Sequence, residues 1–564
     1  MTRTVSIGNQ DFESIRMKNC FYVDKTNFIK EWWENEDTVT LITRPRRFGK
    51  TLTISMLEQF FFNRYADRGD LFEGLSIWEY PEYQKLQGTY PVISLSFANV
   101  KESSYQGIKR RISQLISELY NNYRILFDSE ELEDTEKDYI HEVIKYQYNM
   151  PDDIATMAIH KLSNFLFRHY GKKVIILLDE YDTPMQEAYI YGYWEELVTF
   201  TRGLFNATFK TNPYLERAIM IGITRVSKES IFSDLNNLEV VTTTSEKYAD
   251  CFGFTEQEVF EALDEFNLSD KKGEVKHWYD GFTFGSFSDI YNPWSIINYL
   301  DKKQFRPYWT NTSSNSLVGK LIKEGSPDIK KTMEDLIEGK SLTAEIDEQI
   351  VFNQLGQKES AIWSLLLASG YLKVNNYVFD DVRDGFVYEM VLTNREVLFM
   401  FRNMIKDWFS QYTSDYNEFI KALLQDDTDA MNTYMNRVAL QTFSYFDTGS
   451  HPSEYTEPKR FYHGLVLGVM VDLRERYSIL SNRESGFGRY DVILEPKNRK
   501  DDAIILEFKV YNEKREKSLE DTVSAALEQI EEKQYATDLV SKGIPEDKIR
   551  KYGFAFQGKK VLIG

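Results

Sequence analysis

Three stretches of the chain bring together residue types that can do chemistry. The segment LITRPRRFGKTLTISML, residues 41–57, places Gly49, Lys50 and Thr51 after an apolar run and at the start of a helix-like pattern. A phosphate cradle needs a launching strand, inward backbone N–H groups, a lysine for the outer phosphates and a hydroxyl for Mg2+. These three residues stand where that chemistry requires them, and Arg47 and Phe48 complete the set expected to contact a nucleotide. The first glycine of G-x-x-x-x-G-K-[ST] would fall at position 44, where the chain has Arg44, so the textual match is incomplete.

The second stretch, VIILLDEYD, is an apolar run closed by Asp179 and Glu180. At that position an Asp supports Mg2+ beside Thr51, and the adjacent Glu polarises an attacking water. A further apolar run, AIMIGITRVS, ends in Thr224 and Arg225, placed to sense a terminal phosphate; Arg225 could alternatively act on a neighbouring subunit.

The third stretch comprises GRYDVILEP and AIILEFKVY, two strand patterns joined by the polar turn KNRKDD. The two-residue strand period puts Ile505, Glu507 and Lys509 on one face and Leu506, Phe508 and Val510 on the other. Asp491 can approach from the first strand, giving the D…E-x-K arrangement of the PD-(D/E)XK nucleases. Asp491 and Glu507 would hold Mg2+, which lowers the pKa of a bound water, while Lys509 orients the nucleophile or stabilises the charged transition state. The face is expected to be exposed, so that removing either carboxylate would leave the fold intact. Arg483, Arg489, Lys497, Arg499 and Lys500 supply local positive charge for a phosphate backbone, although a solvated turn explains the last three equally well.

Each stretch also has a plain structural explanation. Lys50-Thr51 can be a helix start, Asp179-Glu180 the polar end of a strand, Glu507 and Lys509 an intrastrand pair, and Arg225 the partner of a surface carboxylate. His463 reads as a helix surface or core residue rather than a ligand.

The elements that must position these residues follow from periodicity. Up to about residue 245, short β-rich runs alternate with amphipathic stretches such as 108–120, which predicts a parallel, helix-covered sheet. From 246 to 440 a helical pattern dominates, with Thr255 and Glu258 spaced as a capping box. The acidic run 130–138 reads as a solvated surface insertion. From 441 to the end a compact α/β unit is expected: a helix over 461–476, a hairpin over 488–511, a charged helix over 519–539 and a last strand over 552–563. The fold class is therefore α/β, in three parts: 1–245 a P-loop domain, 246–440 a helical lid and linker, and 441–564 a nuclease-like domain.

Composition sets the limits. The 564 residues include 36 Tyr and 38 Phe, apolar area enough for several cores. A net charge of −20 disfavours a chain that binds nucleic acid over its whole surface, leaving a local groove. Cys20 and Cys251 are too few and too far apart for a disulfide framework or a cysteine zinc site, which points to the cytoplasm. No window has the apolar length of a membrane span or a signal core.

YVDKTNFIKEW, TRPRRFGKTLTISML, VIILLDEYDTP and WYDGFTFG with YNPWSIINYL together resemble the bacterial AAA-ATPase-like proteins, which typically end in a PD-(D/E)XK nuclease-like domain. The resemblance extends over most of the chain. It implies ATP and Mg2+ as cofactors and an arginine-rich loop in place of the first glycine. It also implies Glu457 as an additional acidic ligand, and Gln529 with Tyr535 as a motif on the helix after Lys509. The expectation is an ATPase controlling a Mg2+-dependent nuclease, with nucleic acid as partner, DNA favoured over RNA, and homo-oligomerisation left open. The alternative is a nucleotide-dependent switch or scaffold whose nuclease-like domain binds nucleic acid or protein without cutting.

Overall fold

The computed structural model describes residues 3–564 apart from 211, 226–231, 233–234, 311–315, 348–354, 356–357, 382–383, 409–412, 447–467, 469–470, 482–483, 486–487, 490–491, 512–515 and 558–559. Two compact units are present: Met1–Ser313 with Thr343–Val397, and Ser314–Leu342 with Leu398–Gly564.

The first unit is built on five parallel strands, β1 (Val39–Thr43), β2 (Val92–Ser96), β3 (Val174–Asp179), β4 (Leu215–Gly222) and β5 (Leu238–Val241), in the order β2-β3-β4-β1-β5. Every residue of β1 and β3 is buried, as expected of strands covered by helices on both faces. The covering helices include α1 (Lys50–Phe61), α2 (Tyr105–Asn121) and α3 (Asp152–Tyr170). In α2 the stripe Ile108, Ile112, Ile116 and Leu119 turns inward at helical spacing, and the Ser104 hydroxyl caps its first turn. The acidic run 130–138 does more than solvate a surface: Glu133 and Glu136 form a capping box that starts the helix Asp134–Tyr146.

Beyond the sheet, α4 (Glu256–Glu265) begins with the expected capping box, the Thr255 hydroxyl accepting from Glu258 N and the Glu258 carboxylate from Thr255 N. The region 246–440 is rich in helices but also contains two hairpins that its pattern did not announce. Strands β6 (Phe282–Phe284) and β7 (Phe287–Tyr291) form one, followed by α5 (Pro293–Lys302); β8 (Leu372–Asp380) and β9 (Gly385–Leu392) form the other. The first is too short for a two-residue period to stand out.

In the second unit β10 (Tyr477–Ser481), β11 (Val492–Pro496), β12 (Ala503–Val510), β13 (Ile549–Gln557) and β14 (Lys560–Ile563) lie side by side in that order. The β12–β13 pair is parallel and the others antiparallel. Helix α6 (Leu519–Glu532) lies against β12 and β13. The charged helix expected over 519–539 ends earlier because Gln534 turns at φ 53°, and a short helix, Thr537–Ser541, follows. The last expected strand is in fact two, β13 and β14. Most of the helix expected over 461–476 lies outside the described residues. Among the described residues no helix is long and apolar enough to cross a membrane.

Candidate functional site

The loop after β1 leads directly into α1. Gly49 sits at the N-cap with φ 82°, a left-handed conformation that glycine adopts without strain, and Arg47 two residues earlier has φ 66°. The Lys50 ammonium turns back under this loop and donates to Arg44 O at 2.9 Å and Pro45 O at 2.7 Å. Burial pushes its pKa down to about 8, against the pull of the Glu180, Asp179 and Asp182 carboxylates. The Lys50 charge is thus held inside the protein by two loop carbonyls and the nearby carboxylates.

Thr51, on the first turn of α1, donates its hydroxyl to Asp179 Oδ2 at 2.7 Å. Asp179 ends β3 and is 2% exposed, and its Oδ1 is buried without a hydrogen-bond partner among the described residues. Burial raises its pKa, partly offset by the Thr51 hydrogen bond. A hydroxyl and a carboxylate with one unsatisfied oxygen are hard donors that suit Mg2+. Glu180 is half-buried, takes φ 50°, and accepts a hydrogen bond from the Thr183 hydroxyl at 3.1 Å. A left-handed non-glycine residue of this kind is strained, a feature concentrated at functional sites.

Arg44 explains the missing glycine. It is fully buried and donates to Thr43 O at 3.0 Å, Thr242 O at 2.6 Å and Tyr248 O at 3.1 Å. Its guanidinium also lies over the Phe284 ring at 4.5 Å and the Phe252 ring at 5.7 Å. Burial lowers its pKa to about 10. The side chain points away from the cradle into the core, so it anchors the root of the loop while its carbonyl receives Lys50. Phe48 is likewise a core residue, packed on Phe282 at 4.8 Å and Phe284 at 5.4 Å.

Thr224 is turned toward a carboxylate that sequence reasoning passed over, Asp182. Its N–H and hydroxyl both donate to Asp182 Oδ2, at 2.9 and 2.8 Å, and Ile223 N and Gln186 Nε2 join them at 3.1 Å each. Gln186 in turn accepts from Arg46 Nη2 at 3.3 Å, linking the loop after β1 to the end of β4. Gly222 is required there: a Cβ would come within 2.6 Å of the Tyr181 ring and 2.7 Å of Asp182 Oδ1. Arg225 lines a small cavity with Thr43, Thr242 and Asp347, beside the ends of β1 and β5. The second Asp of LDEYD was the available signal for Asp182; nothing in the sequence marked Gln186 or the role of Arg44.

In the second unit the β11–β12 hairpin forms as expected, with Val492 opposite Leu506. Glu507 and Lys509 share the face covered by α6, and Gln529 of that helix joins them. Its Nε2 donates to Glu507 Oε1 and, at 3.0 Å, to the Tyr535 hydroxyl, and its Oε1 accepts from Lys509 Nζ at 2.8 Å. The Glu507 side is not the exposed face that the strand period suggested. Glu507 is 4% exposed because α6 roofs it, and Ile505 on the same face packs with Ile530 and Tyr535. Phe508 faces the other way, 4.8 Å from Phe554. Asp491, Glu457, His463 and Arg483 lie outside the described residues, as does the side chain of Arg489.

Comparison with known proteins finds similarity in both units. One relative, a protein of Azotobacter chroococcum mcd 1 described as an uncharacterized protein in vnfD 5'region, is 26% identical over 324 residues. The match covers 57% of this chain and 56% of that relative, little more than half of its length. Residues 6–232 match the family described as predicted AAA-ATPase, and residues 457–564 match the PD-(D/E)XK nuclease superfamily. Strands β1–β4 with the Gly49-Lys50-Thr51 loop thus fall within the stretch similar to the predicted AAA-ATPase family, and the mixed sheet bearing Glu507 and Lys509 within the stretch similar to the PD-(D/E)XK nuclease superfamily.

Proposed function

We propose that the first unit binds and hydrolyses ATP with Mg2+, and that this cycle controls Mg2+-dependent cleavage of nucleic-acid phosphodiesters by the second. The observation that carries the nucleotide reading is the Thr51–Asp179 hydrogen bond of 2.7 Å, with the second Asp179 oxygen buried and unsatisfied. Mg2+ held there would neutralise phosphate charge; Lys50 would bind the outer phosphates, and Glu180 would take a proton from water. Arg225 is assigned to the terminal phosphate, in the same subunit or a neighbouring one. At the second site Asp491 and Glu507 would hold Mg2+, which supplies an activated water, and Lys509 would steady the developing charge. DNA is the favoured substrate and the cytoplasm the place of action.

The test uses the full chain, with ATP hydrolysis and cleavage of DNA measured together. Lys50→Ala should abolish tight ATP binding, whereas Glu180→Gln should bind ATP and stall turnover. If both variants turn over ATP as the parent does, the assignment fails. If ATP is hydrolysed but neither DNA nor RNA is cut with Mg2+ or Mn2+, the switch-or-scaffold alternative replaces the nuclease.

A further inference from the structure

The phosphate loop is held from a distant part of the chain. Asn292 is fully buried, and its one amide serves two elements: Nδ2 donates to Arg46 O at 3.1 Å, and Oδ1 accepts from Trp294 N at 2.9 Å, capping α5. The ring of Trp294 lies 4.5 Å from the Arg47 guanidinium. Phe48 packs on Phe282. Three successive loop residues, Arg46, Arg47 and Phe48, are thus each gripped by the segment 282–294.

That segment is itself locked. Ser295, in the first turn of α5, donates to Glu396 Oε2 at 2.6 Å, and Glu396 Oε1 accepts from Trp309 N at 3.0 Å. Trp309 then packs on Phe282 at 5.4 Å. The contacts close a ring that starts and ends at the phosphate loop. A carbonyl and the following N–H point in opposite directions across a trans peptide. Pinning Arg46 O therefore also fixes the direction of the Arg47 N–H, one of the backbone donors a phosphate would use.

We propose that Asn292 is a positioning residue for the phosphate loop, setting the Arg46–Arg47 peptide for nucleotide through the hydrogen bond to Arg46 O. This rests on the nucleotide-binding reading given above. The side chain touches no nucleotide and acts only through the loop.

The experiment compares Asn292→Ser with the parent and with Lys50→Ala, all as full chains. Serine still caps α5 and carries no charge, but is too short to reach Arg46 O. Three quantities are read: affinity for a non-hydrolysable ATP analogue with Mg2+, thermal midpoint, and backbone hydrogen exchange over 46–49 without nucleotide. The expected result is affinity lowered roughly five- to tenfold, faster exchange at 46–49, a midpoint lowered only slightly and unchanged exchange in α5. Parent-like affinity and parent-like loop exchange would overturn the proposal, as would a lowered midpoint with exchange raised throughout α5, which marks a purely structural role. If the parent binds no nucleotide, the nucleotide reading fails, and loop exchange in the apo protein still decides whether Asn292 sets the loop. If the parent binds, Lys50→Ala does not, and Asn292→Ser binds as the parent does, only the role of Asn292 falls.

Discussion

Thr51 Oγ1 lies 2.7 Å from Asp179 Oδ2, joining the first turn of α1, which follows β1, to the end of β3 although β4 lies between those two strands. The contact spans the sheet because the β2-β3-β4-β1-β5 order places the loop strand and the acid-bearing strand on either side of β4. Hydroxyl and carboxylate are therefore brought together by the topology rather than by sequence proximity.

From this pair comes a prediction on Asp179→Asn. Burial disfavours the Asp179 charge in the metal-free protein, and an amide keeps the bond from Thr51 without that charge. The variant should melt no lower than the parent without metal and lose the stabilisation that Mg2+ with ATP confers. Turnover should fall at least about a hundredfold. Melting curves with and without Mg2+ and ATP, alongside hydrolysis rates, check both parts.

Glu396 gives a pH dependence. It is completely buried, and burial raises its pKa to about 7, opposed by hydrogen bonds from Ser295 and the backbone. A carboxyl whose folded pKa lies above its unfolded value favours folding at low pH. That contribution is lost as pH rises from its ordinary range, near 4.5, to about 7. Glu396→Gln mimics the protonated group. Its stability relative to the parent should therefore grow across that window, by about 3 kcal/mol at most. Denaturant unfolding at pH 6 and pH 8 tests the sign; a gap that narrows toward pH 8 refutes it.

The roof over Glu507 changes which substitution is informative. Glu507→Ala would strip Gln529 of an acceptor inside a covered site and is expected to cost about 1–3 kcal/mol of stability. Glu507→Gln should keep the fold and lose metal-dependent cleavage, while Lys509→Ala should retain metal binding and lose turnover. Metal affinity, melting and DNA cleavage on the three variants separate these effects.

Phe508 supplies the contrasting case from the opposite face of β12. Its ring is 8% exposed and packs against Phe554 and Phe556. Phe508→Ala should lower stability by roughly 3–5 kcal/mol through the cavity it leaves. Metal binding in the fraction that remains folded should be unaltered, as calorimetry below the melting transition would report.

Much of this was legible because the pattern was long and regular. VIILLD announces a strand buried on both faces, Ile108 to Leu119 an inward helical stripe, and Thr255 with Glu258 a helix start, and all three appear in the structure. The face of Glu507 and Lys509 followed from a two-residue period, but its burial did not, since a strand cannot reveal which side a later helix will roof. Three-residue strands such as β6 carry too little periodicity to be seen. The buried work of Arg44, Asp182 and Asn292 was hidden for a different reason. Their partners are backbone atoms or residues up to 246 positions away, and polar letters otherwise read as surface.

The cage around Arg44 bears on how far the sheet can stand alone. Burying a guanidinium costs less the more of its donors are met and its faces covered; carbonyls meet both Nη groups of Arg44, while its Nε has no partner among the described residues. Here Tyr248, Phe252 and Phe284, which meet and cover it, all follow the last strand of the sheet. A polypeptide truncated after residue 245 would keep every strand and yet leave that cation half undressed. A fragment that keeps the Arg44 cage whole must therefore run past Phe284, and one trimmed to its sheet would lose part of the support at the root of the loop after β1.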